Sequence, residues 1–221
     1  MPTITVENYL KQLYIEQQAD PEGLVPMGRL ASTMSVVPGT ATAMVKTLAE
    51  AGLVDYEPRN GARLTPRGQD LALRVLRRHR LVELFLVDVL GLDWSEVHEE
   101  AEHLEHTISD KVLDRIDRLL GSPTVDPHGD PIPSARGDIE HPALPSLGDC
   151  EPDIPLRIAR ILDQDPSFLQ FVERQGLRPG SAVRIEHRDE VADAVTIHTA
   201  NDMSITLGSA AAKKILVEPE A

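Results

Sequence analysis

Histidines and acidic residues recur at helical spacing in one part of the chain. His79 and Glu83 are four residues apart, which places both side chains on one face of a helix. A second helix is predicted after residues 93–96, and it carries four more such residues: His98, Glu102, Glu105 and His106. At about 100° per residue, these four fall within an arc of roughly 100°, beside an apolar stripe. Imidazole and carboxylate ligands without a thiolate suit Mn²⁺, Fe²⁺ or Zn²⁺.

Two interpretations of this cluster remain open. Carboxylates at the edge of a buried face are costly unless they are paired, and a divalent cation would relieve their repulsion. The alternative is a solvated acidic face on which the histidines are incidental. The other histidines have no such partners and are predicted to be ordinary surface or core residues: His103, His128, His141, His187 and His198. The single cysteine, Cys150, excludes a disulfide scaffold and any multi-cysteine metal site.

The residues before this cluster predict a winged helix-turn-helix. Apolar spacing and turn signals indicate three helices and a two-stranded wing, with the helices near 4–18, 26–34 and 40–51 and the strands near 53–56 and 62–65. An Asn60-Gly61 turn is expected to join the strands. The third helix of this fold enters the major groove of DNA.

Five polar side chains are the candidates for DNA contact. The third helix carries Thr40, Thr42 and Lys46, and Arg59 and Arg63 flank the tip of the wing. Short hydroxyls can contact base edges, and cationic side chains can contact phosphates. The alternative is that all five are ordinary solvated residues of a small helical domain.

The distribution of charge supports the DNA-binding interpretation. The 221-residue chain has a formal net charge of −14, which by itself would argue against nucleic acid. Residues 1–80, however, hold 10 Lys and Arg against 8 Asp and Glu, and residues 59–80 hold seven arginines and one acidic residue. A basic head on an acidic body is typical of a chain with a nucleic-acid-binding segment.

Together, the winged head and the His/Glu cluster resemble the diphtheria toxin repressor and manganese transport regulator family of metal-dependent repressors. The similarity runs through residues 78–83, 91–93, 97–102, 105–106 and 126–133. It implies a mainly α protein with a small β domain. The expected parts are a winged helix-turn-helix at 1–65, a helical metal-binding and dimerisation domain at 66–135, a Pro-rich linker at 136–155 and an SH3-like (FeoA-like) domain at 156–221.

The C-terminal pattern agrees with a small SH3-like barrel. A short helix is predicted near 166–175, with strands near 182–187, 194–199, 203–207 and 214–218. Eight of the 17 prolines lie between Pro123 and Pro155, where no helical period is present. Such a stretch is typical of an ordered or semi-rigid linker.

The resemblance implies that six residues bind metal: His79, Glu83, His98, Glu102, Glu105 and His106. Glu102 stands where iron-responsive relatives carry a cysteine, and this hard ligand favours Mn²⁺, with Fe²⁺ as the alternative. On the first helix, Asn8 stands where relatives have Asp or Met. Lys11 stands where the manganese-responsive branch has a glutamate, and it cannot ligate while protonated.

The resemblance also suggests an acidic ligand from the C-terminal domain. Asp163 is the best-aligned candidate, and Asp165 is the second. The alternative is that both residues only cap the helix that begins at Pro166.

The resulting hypothesis is a cytoplasmic homodimeric repressor that binds a pseudo-palindromic operator when metal is present and controls metal-homeostasis genes. The expected partners are operator DNA and a second copy of the chain, with no membrane, no organic cofactor and no enzymatic activity. The candidates for the dimer core are Val82, Leu86, Val89, Leu90, Val112, Ile116, Leu119 and Leu120. Glu105→Gln or His106→Ala is predicted to abolish metal-dependent operator binding without loss of folding. Alternatives are a winged-helix regulator that metal does not control and a metal-dependent hydrolase.

Overall fold

The computed structural model describes residues 3–20, 23–199 and 203–220, which form two compact units. The first unit contains the described residues of Met1–His79, together with Leu104–Ile108 and Pro133–Ile139. The second unit contains Arg80–His103, Ser109–Ile132 and the described residues from Glu140 onward.

The first unit is a winged helix-turn-helix, as predicted. Its elements are α1 (Ile4–Gln17), α2 (Met27–Thr33), α3 (Pro38–Glu50), β1 (Val54–Glu57), β2 (Gly61–Leu64) and the first turns of α4 (Pro66–Asp88). Helix α3 begins two residues earlier than predicted. The reason is that Pro38 is already at a helical position, where its missing N–H costs nothing, and Val37 provides the extended N-cap.

The wing differs from the prediction by one residue. Strands β1 and β2 pair from Val54↔Leu64 to Glu57↔Gly61, so Gly61 lies in the strand and the turn lies before it. Arg59 adopts the left-handed conformation there, with a φ of 71°. Gly61 is required because a Cβ atom would lie 2.5 Å from the Val25 carbonyl oxygen. The predicted turn is therefore confirmed at Asn60, whereas Gly61 is the first residue of β2.

The core of the first unit holds α3 in place. The apolar faces of α1, α2 and α3 pack with the wing, and the least exposed side chains are Leu10, Leu13, Leu30, Ala41, Val45 and Leu48. Burying such side chains contributes about 1.5–3 kcal/mol each. Because one face of α3 is fixed by this core, its opposite face points to solvent.

The second unit combines helices with an antiparallel sheet, as predicted for the fold class. Its elements are the rest of α4, α5 (Val97–Leu104), α6 (Asp110–Leu119), β3 (Pro155–Ile161), α7 (Pro166–Arg174), β4 (Ala182–Asp189), β5 (Ala194–Thr199), β6 (Ser204–Gly208), α8 (Ser209–Ala212) and β7 (Ile215–Pro219). The sheet order is β6-β5-β4-β3-β7. Strand β3 was not predicted. No helix among the described residues is long and apolar enough to cross a bilayer.

The end of α5 contradicts one prediction. Glu105 and His106 were expected on the same helical face as His98 and Glu102, but α5 ends at Leu104. The N–H groups of Thr107 and Ile108 donate to the Leu104 carbonyl, and Ser109 then caps a new helix. The arc calculated at 100° per residue therefore does not apply to Glu105 and His106, which lie in a turn.

Part of the Pro-rich stretch packs on the sheet. The Leu147 side chain is fully buried in the core of the sheet, and its N–H group donates to the Ile215 carbonyl at 2.7 Å. The Val217 N–H group donates to the Pro145 carbonyl at 3.0 Å. These contacts fix residues near 145–147 against β7.

Candidate metal centre and DNA-binding surface

Glu105 is the centre of a buried polar cluster in the first unit. Its side chain is completely buried, and three nitrogen-bearing side chains surround it. The Lys11 ammonium lies 2.8 and 3.0 Å from its two carboxylate oxygens, His79 Nδ1 lies 2.6 Å from Oε2, and His106 Nε2 lies 3.2 Å from Oε1. A buried carboxylate needs such partners because its desolvation is costly.

His106 presents a nitrogen lone pair beside Glu105. Its Nδ1 lies 2.7 Å from a Glu7 carboxylate oxygen, so Nδ1 carries the proton and donates to Glu7. Its Nε2 is buried and makes no hydrogen bond among the described residues. Adjacent ligands in an octahedral shell with bonds of about 2.1 Å lie about 3 Å apart. The 3.2 Å separation of His106 Nε2 and Glu105 Oε1 therefore fits two ligands of one ion.

Glu7 is a functional candidate that the sequence did not indicate. It lies one turn before Lys11 on α1, whereas its partner His106 is 99 residues away along the chain. A metal-ligating histidine commonly donates its second N–H to a carboxylate, which fixes the ring. The only available signal was the (i, i+4) spacing of Glu7 and Lys11, which by itself is typical of a surface helix.

Asn8 offers a further buried oxygen on α1. Its Oδ1 atom is buried, with no hydrogen-bond partner in the described part of the chain. It stands three residues before Lys11, on the same side of α1. A buried acceptor left without a partner costs free energy. An amide oxygen, a carboxylate and an imidazole suit a divalent cation, so Asn8, Glu105 and His106 fit a metal centre.

The predicted ligands of the second unit also lie together. His98 Nδ1 is 3.2 Å from Glu83 Oε1, and His98 Nε2 is 3.7 Å from Glu102 Oε1. The Glu83 side chain is almost fully buried, whereas the His98 side chain is half exposed. This histidine therefore connects a buried carboxylate with one closer to solvent.

A second set of possible ligands lies deeper in the same unit. Glu83, Asp126 and His128 each offer one ligand atom, these atoms lie within 4.8 Å of one another, and all three residues are buried. His128 was predicted to be an ordinary histidine. Its Nε2 instead donates to the Trp94 carbonyl at 2.9 Å, and its buried Nδ1 has no hydrogen-bond partner among the described residues. That Nδ1 is therefore available as a ligand atom.

Asp126 lies in a strongly acidic environment. Its Oδ1 accepts the N–H groups of His128 and Asp130 at 2.8 and 2.9 Å. Burial, followed by the negative charges of Asp130 and Glu83, raises the pKa of Asp126 well above its usual range, although Arg80 acts in the opposite direction. A divalent cation would stabilise the ionised form. The sequence signal was the Asp126-Pro-His128-Gly turn, which places a carboxylate beside an imidazole.

Asp163 and Asp165 have different roles. Asp165 is the N-cap of α7: its Oδ1 accepts the N–H groups of Ser167 and Phe168 at 2.9 and 3.4 Å, and the hydrogen bonds from Ser167 lower its pKa. The capping interpretation is therefore confirmed for Asp165. Asp163 accepts the Asp165 N–H group at 3.0 Å and forms an ion pair of 2.5 Å with Lys214.

The five candidate DNA contacts lie on α3 and the wing. Thr40 and Lys46 are exposed, and Arg59 is exposed in the turn of the wing. The Thr42 hydroxyl donates to the Pro38 carbonyl at 2.8 Å, so its hydrogen is already used within the helix. Arg63 Nε lies 3.6 Å from Asp55 on the neighbouring strand, and both side chains are about half exposed.

Three family descriptions match consecutive parts of the chain. The N-terminal DNA-binding domain of iron-dependent repressors matches residues 1–62, and their metal-binding and dimerisation domain matches residues 65–134. The FeoA domain matches residues 146–219.

Whole-chain comparisons agree with these matches. The diphtheria toxin repressor of Corynebacterium efficiens is 32% identical over 225 residues, which covers 97% of this chain and 95% of that protein. A manganese-dependent transcriptional repressor in complex with manganese is 39% identical, with a TM-score of 0.86 over 97% of this chain and 100% of the other. ScaR with bound Cd²⁺ is 33% identical, with a TM-score of 0.79 over 99% and 100% of the two chains. The chain therefore belongs to the diphtheria toxin repressor family of metal-dependent transcriptional repressors.

Proposed function

We propose that the protein is a homodimeric repressor of metal-homeostasis genes that binds its operator when Mn²⁺ is bound, with Fe²⁺ as the second choice. The observation that carries this proposal is the set of buried ligand atoms in the first unit. Asn8 Oδ1 and His106 Nε2 have no hydrogen-bond partners among the described residues, and His106 Nε2 faces Glu105 at 3.2 Å. A bound cation would satisfy these atoms.

The preference for Mn²⁺ rests on ligand chemistry. The candidate ligands are oxygen atoms of Asn8, Glu102 and Glu105 together with imidazole nitrogens, and the single cysteine is not among them. Hard oxygen ligands suit Mn²⁺ better than thiolate-rich sites do. Similar solved structures include repressors described as manganese-dependent, which supports the same choice.

Coupling between metal and DNA would act through α1. Glu7, Asn8 and Lys11 lie on α1, and the partners of Glu7 and Lys11, which are His106 and Glu105, lie in one turn. If Asn8, Glu105 and His106 share one cation, α1 is fastened to that turn. Since α1 also packs against the core that holds α3, fastening α1 restricts the recognition helix.

The free energy needed for such a switch is modest. A shift from 1:99 to 99:1 in favour of the DNA-binding state requires about 5.5 kcal/mol of differential metal binding. By linkage, operator DNA tightens metal binding by the same factor.

Fewer residues are available for the proposed dimer surface than the sequence analysis listed as candidates. Val82, Leu86 and Ile116 are buried within the protomer, so they support the surface from inside. Four of the other candidates are about half exposed or more, and these can contact a second copy: Val89, Leu90, Val112 and Leu119. Large apolar side chains grouped on an exposed surface are typical of subunit interfaces.

The buried set in the second unit is proposed as a further divalent site. Glu83, Asp126 and His128 would hold the ion, and His98 extends the set towards solvent. Positive charge at this position would offset the repulsion between the Glu83 and Asp126 carboxylates.

The proposal is tested by finding the operator and then varying the metal. Duplexes selected from a random pool in the presence of Mn²⁺ would be titrated with the protein at one fixed salt concentration, because phosphate contacts make the affinity salt-dependent. We expect Mn²⁺ to tighten binding more than Fe²⁺ or Zn²⁺ does at equal free concentration. Selection that enriches the same duplex equally well with a chelator present would contradict the proposal.

A further inference from the structure

Lys11 is a buried lysine inside the proposed metal centre of the first unit. It is 4% exposed, and its ammonium lies 2.8 and 3.0 Å from the two oxygens of Glu105. It also lies 3.4 Å from His79 Nδ1, which contacts the same carboxylate. A lysine side chain is seldom buried unless it is paired.

The Lys11 ammonium occupies the place beside the Glu105 carboxylate that a bound metal ion would need. Glu105 is fully buried, so its charge must be compensated nearby. Lys11 Nζ contacts both carboxylate oxygens, including Oε1, the atom that faces the available lone pair of His106. An incoming ion that binds Glu105 must therefore displace the ammonium or share the carboxylate with it.

We propose that Lys11 is a built-in cation that competes with divalent metal for Glu105 and holds α1 against the 105–106 turn when metal is absent. The carboxylate exchanges one cation for another on metal binding, and no covalent bond changes. Two consequences follow: the metal-free first unit is stable, and metal binds more weakly than it would if Lys11 did not compete for Glu105. The inference rests on the proposed metal site but not on operator binding.

The test removes the charge and keeps an unbranched side chain only one atom shorter. Lys11→Met is compared with wild type and with Lys213→Met, a control that loses the same charge from an exposed position outside the proposed metal and DNA sites. The full chain is titrated with MnCl₂ by calorimetry, and melting is followed in EDTA and in Mn²⁺. We expect the Kd for Mn²⁺ of Lys11→Met to fall on the order of tenfold, a usual size for such a coupling.

Melting supplies a readout that is independent of function. In EDTA, Lys11→Met should melt below wild type because Glu105 has lost its partner, and Mn²⁺ should remove most of that difference. Lys213→Met should match wild type in both measurements. Unchanged or weaker Mn²⁺ binding by Lys11→Met would overturn the inference.

A second variant keeps the test decisive if Lys11→Met does not fold. Lys11→Met/Glu105→Gln removes both charges, so it should melt in EDTA well above Lys11→Met. It should also have lost tight Mn²⁺ binding at this centre. A double variant no more stable than Lys11→Met alone would mean that pairing with Glu105 is not the role of Lys11.

The outcomes separate this inference from the proposed function. If wild type shows Mn²⁺-dependent operator binding while Lys11→Met leaves the Mn²⁺ affinity unchanged, only the inference fails. If Lys11→Met binds Mn²⁺ more tightly than wild type while operator binding ignores metal in both, the inference stands and the proposed function fails.

Discussion

The two units contain clusters of the same residue types, but their charges are compensated differently. In the first unit, the buried carboxylate of Glu105 is paired with the ammonium of Lys11 at 2.8 Å. In the second unit, Glu83 and Asp126 share a buried space, and Arg80 Nε lies 3.5 Å from Asp126. The pKa of Asp126 is raised there because burial and neighbouring carboxylates outweigh the guanidinium.

This difference separates two ways of preparing a protein for a metal ion. In the first cluster, the Glu105 carboxylate already has an ammonium partner without metal, so metal binding there would be an exchange of cations. In the second cluster, burial and neighbouring carboxylates disfavour the ionised form of Asp126, so metal binding there would relieve repulsion. We therefore expect metal at the first cluster mainly to change how α1 is held. Metal at the second cluster should mainly raise the free energy of unfolding.

The largest expected effect on function comes from His106→Ala. This change removes the proposed ligand atom Nε2, which makes no hydrogen bond among the described residues, together with the Nδ1 contact to Glu7. Mn²⁺-dependent operator binding should weaken by about 100-fold or more, while folding is kept. Fluorescence anisotropy with a labelled operator measures this effect. His103→Ala, at an exposed position nearby, is the control and should behave as wild type.

The largest expected effect on stability comes from Glu105→Gln. This variant leaves the Lys11 ammonium buried without its carboxylate, which typically costs about 3–5 kcal/mol. The sequence alone suggested that folding would be unaffected, and the buried ion pair changes that expectation. Urea unfolding in EDTA measures the loss, with Glu100→Gln as an exposed control. Equal unfolding free energies for Glu105→Gln and wild type would contradict the assigned role of the pair.

In the second cluster, Asp126→Asn should stabilise the metal-free protein, whereas Glu105→Gln destabilises it in the first. A neutral amide replaces a buried carboxylate that is repelled by its neighbours, so the metal-free protein should become more stable. The stabilisation that Mn²⁺ adds should shrink in the same variant. Asp88→Asn, at an exposed position on α4, serves as the control. A destabilised Asp126→Asn in EDTA would show that the two clusters do not differ in this way.

Glu7→Gln is expected to weaken metal binding rather than abolish it. The variant keeps an oxygen that accepts the His106 Nδ1 proton, but it loses the charge that orients and polarises the ring. Loss of such a supporting contact commonly lowers metal affinity by about tenfold. Calorimetric titration with MnCl₂ measures this change. If Glu50→Gln, an exposed control, lowers the affinity equally, the contact of Glu7 with His106 is not the cause.

Asp165→Ala should have the smallest effect and should not depend on metal. It removes the N-cap of α7, so the melting temperature should fall slightly. Because hydrogen bonds lower the pKa of Asp165 in the folded state, its contribution is present above the unfolded pKa and fades as pH falls through the folded pKa. The difference from wild type should therefore diminish in acid and remain the same with Mn²⁺ at neutral pH. Asp165→Asn keeps the cap and is the matched control.

Local patterns predicted the parts of the fold that depend on neighbouring residues. The three helices and the wing followed from apolar spacing and turn residues, and they were found within one or two residues of the predicted bounds. The end of α5 was not predicted, because helical spacing of polar and apolar residues does not show where a helix stops. Here the next helix begins at its own cap, Ser109.

The parts of the site that depend on long-range contacts could not be predicted in this way. Lys11 and Glu105 are 94 residues apart, and Glu7 and His106 are 99 residues apart. Spacing along α1 indicated only that Glu7 and Lys11 share a face. His128 was missed for a related reason: the role of its Nδ1 depends on the Trp94 carbonyl, which holds the other ring nitrogen.

The central claim is that metal at the Asn8, Glu105 and His106 centre controls binding to DNA. The most direct measurement is the affinity of the full chain for its selected operator duplex, at one salt concentration, across a titration with Mn²⁺ buffered by a chelator. The claim predicts that affinity rises by about 100-fold or more with Mn²⁺ in wild type and stays low throughout in His106→Ala. Equal operator affinity with and without Mn²⁺ in wild type would contradict it.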